Sequence, residues 1–265
     1  MKPLYLLTTL LLSSLLLSSG CTSIPATGKN ALILLPEDTL ISQSNSMFAE
    51  MRRTEKVSTN RQHNAMLQRV GKRIAEVVKD DMPATNWEFI VFQGQGQANA
   101  FALPGGKVGI YTGIFELCDN DSDLATVVSH EIAHVAARHG NQRASMQILQ
   151  VAGGVVLGTV MRDQEERTRN TVMAAYGVGT TVGGMLPFSR SHELEADRLG
   201  LYYMARAGYD PRRSIVFWER MMQKQNGNAP PEFLSTHPAH RARIAALQKN
   251  IDLAMVEYEA ARSAN

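Results

Sequence analysis

The 265-residue chain has only two cysteines, Cys21 and Cys118, and if the first is acylated no intramolecular disulfide can form. It also lacks a charge excess. It has 27 Lys and Arg and 25 Asp and Glu, and the resulting net charge of +2 gives no general attraction to nucleic acid. Its N-terminal apolar run, 6–17, is too short to span a bilayer. What remains is a chain that is 44% hydrophobic and long enough for one sizeable core.

The N-terminal run has the features of a targeting segment. It follows Lys2 and ends in small residues before Cys21, which resembles the signal peptide of a bacterial lipoprotein. We therefore expect 1–20 to be a signal peptide, Cys21 to be acylated and 21–36 to be a polar tether. Thr22 after the cysteine predicts anchoring at the periplasmic face of the outer membrane. Ser18 stands where a Leu is usual, and a secreted protein with a spare cysteine is the alternative.

The most informative segment is a His-Glu-x-x-His motif formed by His130, Glu131 and His134. It lies in an apolar pattern of helical spacing that meets no Pro or Gly until Gly140. Residues four apart share a helix face, so both histidines can reach one cation, with Glu131 beside them. Imidazole nitrogens suit zinc, and the carboxylate can take a proton from a water that the metal activates. The alternative is a buried helix that carries two histidines by chance.

A later acidic segment supplies a candidate third ligand. Glu193 and Asp197 are four residues apart and would share a helix face. Glu193 could complete the metal site, and Asp197 could accept a hydrogen bond from the outer nitrogen of a ligand histidine. An acidic helix alone is usually a solvated face, and only its combination with the histidine pair favours a metal site.

A β-hairpin is predicted just before the metal-binding helix, with strands 99–103 and 107–111 joined by Pro104-Gly105-Gly106. Its outer strand, which contains Asn99, Ala100 and Phe101, could pair main chain to main chain with an extended peptide. A hairpin that only closes the core is the alternative. The Gly-rich segment 94–99 precedes a strand rather than a helix, so we expect no nucleotide cofactor.

Two apolar stretches rich in Gly and Ala follow, 151–161 and 171–186. Each is short for a membrane span. We expect a helical hairpin that packs on the core or lies over the cleft, with shallow membrane contact as the alternative. Cys118 is expected to be a buried small hydrophobe rather than a ligand.

Three motifs together resemble the M48 metallopeptidases, a family that includes HtpX-type proteases and the CAAX prenyl protease. They are the His-Glu-Ile-Ala-His, Glu-Leu-Glu-Ala-Asp and Ser-Thr-His-Pro sequences at 130–134, 193–197 and 235–238. The likeness extends over 62–247 and is to compact periplasmic lipoprotein members. It implies an α+β, mostly helical, zincin-like fold with a small β-sheet beside the metal-binding helix, in one domain at 37–265.

The resemblance also implies the roles of single residues. It assigns three ligands for one Zn²⁺ per chain: His130, His134 and Glu193. Glu131 would be the catalytic base, and Asp197 would orient a ligand histidine. His237 or Arg243 would stabilise the oxyanion.

The expected activity is hydrolysis of internal peptide bonds in unfolded or extended polypeptides. Location suggests misfolded or misassembled envelope proteins as clients. The alternative is a membrane-tethered chaperone or assembly scaffold whose zinc site is not catalytic.

Overall fold

The computed structural model describes residues 20–82, 85–94, 96–225 and 231–263. The predicted signal peptide, apart from Gly20, lies outside these residues. The α-helices are α1 (Glu37–Thr54), α2 (Arg61–Val77), α3 (Asp121–Ala136), α4 (His139–Val160), α5 (Glu166–Thr180), α6 (Leu186–Arg206), α7 (Arg212–Gln225), α8 (Phe233–Thr236) and α9 (Arg241–Ser263). The strands are β1 (Cys21–Ile24), β2 (Lys29–Leu32), β3 (Glu88–Phe92), β4 (Ala100–Leu103) and β5 (Lys107–Tyr111). The predicted α+β, mostly helical fold is confirmed.

One compact unit consists of Glu37–Ala137 with His192–Asn265 and contains a three-stranded sheet. The strand order is β3-β5-β4, with β5 parallel to β3 and antiparallel to β4. The predicted hairpin is therefore confirmed. Gly105 and Gly106 turn it with φ angles of 84° and 83°, which glycine adopts without a Cβ clash. Strand β4 lies at the sheet edge and packs against α3.

Helix α3 is a core helix. The Asn120 side chain caps its first turn by accepting hydrogen bonds from the backbone N–H groups of Ser122 and Asp123. Apart from Val135, every residue from Asp123 to Ala136 is buried. A helix that is buried on nearly all sides carries its histidines into the interior on a rigid support.

The start of α3 depends on a buried ion pair. Asp123 is fully buried and accepts hydrogen bonds from Arg213 Nε and Nη2, both at 2.7 Å. We expect Asp123→Ala to lower the free energy of unfolding by about 2 kcal/mol, the typical value for hydrogen bonds to charged groups. Denaturant titration measures this loss.

The matched control is Asp121→Ala, in the same helical turn. Asp121 pairs with Arg69 in an exposed ion pair, so its loss should cost less than about 1 kcal/mol. Equal losses in the two variants would contradict the assigned importance of burial.

Helix α6 crosses α3 at Gly200. A Cβ on Gly200 would lie 3.0 Å from the backbone nitrogen of His130 and 3.1 Å from its Cα, so a larger residue would require the two backbones to move apart by a few tenths of an ångström. Asp197 and Glu193 precede Gly200 by one and two helical turns on the same face. The close crossing therefore places both carboxylates beside His130.

Among the described residues, the second compact unit consists of 20–36 with Arg138–Ser191. Here the polar tether predicted from the sequence was wrong, because β1 and β2 form an antiparallel hairpin. Gly28, at φ 66°, turns the chain between them. The backbone N–H of Leu34 donates to Ser145 Oγ at 2.9 Å, and Asn141 Nδ2 donates to the Leu35 carbonyl at 2.8 Å. These bonds attach the N-terminal hairpin to α4.

Helices α4 and α5 form the predicted helical hairpin. Tyr176 donates its hydroxyl hydrogen to the Gln150 carbonyl at 2.8 Å, and Gln150 Nε2 donates to Thr180 Oγ1 at 2.7 Å. Within the described residues, no helix is both long and apolar enough to cross a membrane. The single domain expected at 37–265 stays a prediction.

Candidate active site

Four side chains from three segments meet inside one unit: His130 and His134 of α3, Glu193 of α6 and His237 just after α8. One potential ligand atom of each lies within 4.8 Å of the others. Glu193 Oε2 is 3.3 Å from His130 Nε2 and 3.0 Å from His237 Nδ1. Glu193 Oε1 is 3.3 Å from His134 Nε2, and the two ligand nitrogens of α3 are 3.1 Å apart. All four side chains therefore point at one small volume.

The chemistry of this cluster fits a zinc ion. Imidazole nitrogen and carboxylate oxygen are zinc donors, and all four residues are buried. The outer nitrogen of His130, Nδ1, lies 3.1 Å from Asp197 Oδ1, which fixes the ring with Nε2 inward. Cys118 is not part of the cluster, and burial raises the pKa of its thiol.

The pKa values of the two carboxylates at the cluster are shifted in opposite directions. Burial raises the pKa of Glu131 above its usual range, although His237 and His130 oppose the shift. Burial also opposes ionisation of Glu193, but hydrogen bonds from His130, His134 and His237 hold its pKa well below its usual range. Two carboxylates with separated pKa values suit one proton acceptor and one permanent anion.

Glu131 also has the geometry of a proton acceptor. Its Oε1 accepts no hydrogen bond from the described residues and lies 3.4 Å from His237 Nε2. Glu131 is 4% exposed, so this available oxygen lies in a nearly dry site. A water molecule beside the metal position would find its acceptor there.

Behind His130, a chain of buried side chains holds Asp197 in place. Arg243 donates to Asp197 from Nε at 2.7 Å and from Nη2 at 2.6 Å. The guanidinium stacks on Trp218, with Cζ 3.7 Å from the ring centroid. Arg243 also holds the pKa of Asp197 at about 2, against the effect of burial. The guanidinium also lies against the cluster, with Nη1 3.2 Å from Glu193 Oε2. The oxyanion role of Arg243 stays a prediction, and these contacts favour a positioning role as the alternative.

Arg243→Lys tests this positioning role. Lysine cannot make the paired hydrogen bonds or the planar stack, so we expect zinc affinity to fall about 10- to 100-fold, as for other outer partners of zinc ligands. Competition with a chromogenic chelator measures the affinity. Arg241→Lys, at the exposed start of the same helix, is the control. Unchanged zinc affinity with a large fall in kcat would instead favour the oxyanion role.

The sheet edge is linked to the segment that carries His237. The backbone N–H of Phe233 donates to the Ala98 carbonyl at 2.9 Å, and Asn99 Nδ2 donates to Glu232 Oε1 at 3.2 Å. Ala100 and Phe101 follow in β4, and Phe101 packs against the core cluster of Phe48, Phe92 and Tyr111. Edge strand and His237 segment are thus neighbours.

Sequence reasoning missed the aromatic support of the site. Trp218, the largest fully buried side chain, was not among the predicted site residues. It contacts His130 edge-on at 5.6 Å between ring centroids and stacks with Phe233 at 5.9 Å. Phe233 in turn stacks on His237 at 4.5 Å. Trp218 is far from the His-Glu-x-x-His motif in the sequence, so no local pattern could have identified it as part of the site.

Comparison with known proteins identifies the family to which this arrangement belongs. Residues 61–251 match the model of peptidase family M48. A mitochondrial metalloendopeptidase, OMA1 of Saccharomyces cerevisiae, is 40% identical over 65% of this chain and 49% of its own length. The β-barrel assembly-enhancing protease of Escherichia coli is 34% identical over 56% of this chain and 31% of its own length. A putative β-barrel assembly-enhancing protease of Vibrio cholerae is 28% identical over 83% of this chain and 48% of its own length.

The chain thus spans half or less of the length of these curated relatives. The family match, by contrast, covers most of the chain and includes every residue of the cluster. M48 enzymes are zinc metallopeptidases, and the four-residue cluster supplies donors of the type that zinc requires. The chain belongs to peptidase family M48.

Proposed function

We propose that this protein is an endopeptidase that hydrolyses internal bonds of extended polypeptides, with Zn²⁺ held by His130, His134 and Glu193. The observation that carries the proposal is the convergence of these ligands beside a buried carboxylate, Glu131, that keeps an oxygen available. This is the constellation that peptide hydrolysis needs: a metal site, a base and a dry environment.

When bound, the metal would polarise the scissile carbonyl and lower the pKa of the attacking water. Glu131 takes the proton as water attacks and returns it to the leaving amine, because its raised pKa suits both directions of transfer. Asp197, fixed by Arg243, keeps His130 in the tautomer with a free inward nitrogen. Glu193 stays ionised throughout.

We propose for His237 a role that differs from the one that the family resemblance implies. Its Nδ1 joins the ligand atoms of the other three residues, and four protein donors would complete a tetrahedral zinc site. A catalytic site needs one position for water and substrate. We therefore infer that His237 would be a fourth, displaceable donor, with His130, His134 and Glu193 as the resident ligands.

His237→Ala distinguishes the two roles. Removal of a displaceable fourth donor leaves three protein ligands, so zinc should be retained and the rate of peptide hydrolysis should rise. The measurement is kcat on an unfolded protein substrate, with bound zinc quantified for both proteins. A fall in kcat at equal zinc would favour the oxyanion role.

Strand β4 is the proposed substrate platform. It lies at the sheet edge and packs against α3, the helix that carries both histidines. An extended peptide paired with Asn99, Ala100 and Phe101 would run towards the segment that carries His237, because Phe233 and Glu232 bond to residues 98 and 99. Main-chain pairing is insensitive to side chains and suits unfolded polypeptides.

We also propose that acylated Cys21 anchors the enzyme at the periplasmic face of a bacterial outer membrane. Cys21 is exposed and free. Two of the relatives are named for assembly of β-barrel proteins, which supports misassembled envelope proteins as clients. Mass spectrometry of the mature N-terminus tests the anchor, and a chain without acyl groups would refute it.

The test of the activity is digestion of unfolded casein by the chain from residue 21 onward, with fragment mapping. We expect internal cleavage that a chelator abolishes and added Zn²⁺ restores. Release of single terminal residues would indicate an exopeptidase. Zinc-loaded protein that binds unfolded casein without cleaving it would favour the scaffold alternative.

A further inference from the structure

The hairpin of α4 and α5 presents an apolar outer surface. No charged residue occurs in 144–161 or 170–189. Seven aliphatic side chains of the hairpin and of the segment that follows it are between 45% and 72% exposed. Val182 lies in the π-helical turn Thr181–Met185, and Leu186 begins α6. We call the seven the valine face: Val151, Val155, Val156, Val160, Val178, Val182 and Leu186. Contiguous exposed apolar surface on this scale marks an interaction site.

The valine face is not needed to hold the hairpin together. The two helices meet through Tyr176, which lies against Gly153 and donates to the Gln150 carbonyl, and through the Gln150 to Thr180 hydrogen bond. The valines of the face are between 58% and 72% exposed, so most of their surface is not used in this contact. Valine is also a poor helix former, so helix stability does not explain its frequency on exposed positions.

The charges around the valine face indicate which partner covers it. Residues 138–191 contain six arginines and three acidic residues. All three acidic residues lie in or next to the turn between α4 and α5, at 163, 165 and 166. At the opposite end of the hairpin the exposed charges are Arg143 and Arg190. A cationic end beside an apolar face is the pattern of a helix that lies in an anionic lipid interface.

The position of Cys21 points to the same partner. Cys21 lies in β1, and β1 pairs with β2 along its whole length. The chain after β2 is bonded to α4 through Ser145 and Asn141, near the cationic end of the hairpin. A lipid on Cys21 would therefore hold the valine face at a bilayer surface with a high effective concentration.

We propose that the valine face inserts into the boundary between headgroups and acyl chains of an anionic bilayer, with Arg143 and Arg190 on lipid phosphates. The inference extends the proposed membrane location and is independent of peptidase activity. The protein would then contact the membrane at two points, an acyl anchor and a helical surface.

The test uses the chain from residue 21 with Cys21→Ser, so that no acyl group is present, and vesicles of phosphatidylethanolamine and phosphatidylglycerol. We expect sedimentation with vesicles, and at least about tenfold weaker partitioning after the double change Val155→Asp and Val178→Asp. The matched control is Val256→Asp. Val256 is an equally exposed valine on α9, in the other unit, and its change should leave partitioning unaltered.

A spectroscopic reading shows where the face lies. The fluorescence of Val156→Trp should shift to the blue on vesicles and be quenched by brominated acyl chains, whereas that of Val256→Trp should not. Absence of vesicle binding by the Cys21→Ser chain, or equal binding by the aspartate variants, would overturn the proposal. Self-association that the aspartate changes abolish, without vesicle binding, would assign the face to a second copy and overturn it too.

Casein digestion in solution by the same variants separates this proposal from the proposed function. We expect the aspartate variants to cleave casein as the Cys21→Ser parent does. Loss of cleavage in every variant, with vesicle binding still dependent on the valines, would refute the peptidase assignment alone.

Discussion

Glu131→Gln should lower kcat for peptide hydrolysis by about 10³- to 10⁴-fold, near the upper limit attributed to a general base. Glutamine keeps the size of the side chain and cannot accept the proton. Glu131 is not among the four clustered ligand residues, so zinc should remain bound. The expected result is therefore an inactive enzyme with a full metal site.

The measurement compares casein cleavage by wild type and variant at equal, quantified zinc. Glu195→Gln is the matched control, since Glu195 lies on α6 next to the site and off the face that carries Glu193 and Asp197. We expect it to cleave at the wild-type rate. Retained cleavage by Glu131→Gln would remove Glu131 from the base role.

The second large effect is expected for His134→Ala. Without this nitrogen the ligand set loses one of its two donors on the rigid core helix, and we expect zinc affinity to fall by more than about 100-fold, beyond the usual effect of an outer partner. Activity should disappear with the metal. Glu193 also loses one of the three hydrogen bonds that stabilise its anion in a buried site, so the metal-free protein should unfold more easily.

Zinc content after dialysis, and thermal unfolding with and without a chelator, measure these changes. The informative comparison is His237→Ala, which removes a donor from a short segment rather than from α3. We expect that variant to keep its zinc. If His134→Ala keeps zinc while His237→Ala loses it, the assignment of resident and displaceable ligands is inverted.

Local geometry explains why part of the site was predictable. The spacing of His130 and His134 places both rings on one helix face wherever the helix lies, and Glu131 must then lie beside them. The hairpin before α3 was equally predictable, because its turn requires glycine and its strands pair with neighbouring sequence. For both features, the determining contacts lie within a few residues.

The N-terminal segment shows where local reasoning fails. The segment 21–32 is short and mostly polar, and it was predicted to be part of a tether. It forms a local hairpin turned at Gly28, and what holds this hairpin in place is the bonding of the chain that follows it to α4, more than a hundred residues later. Long-range hydrogen bonds of this kind leave no periodic pattern in the sequence.

The sequence by itself determined that His130 and His134 share a helix face with Glu131 beside them, because a helix repeats at a fixed angle per residue. The family resemblance came from the three motifs. Only the tertiary structure decided how the distant groups are used. Gly200 lets α6 approach α3 and bring Glu193 to the histidines. Arg243 donates hydrogen bonds to Asp197, and His237 joins the cluster of potential ligands. These roles depend on packing between elements far apart in the chain, and spacing along the sequence does not encode that packing.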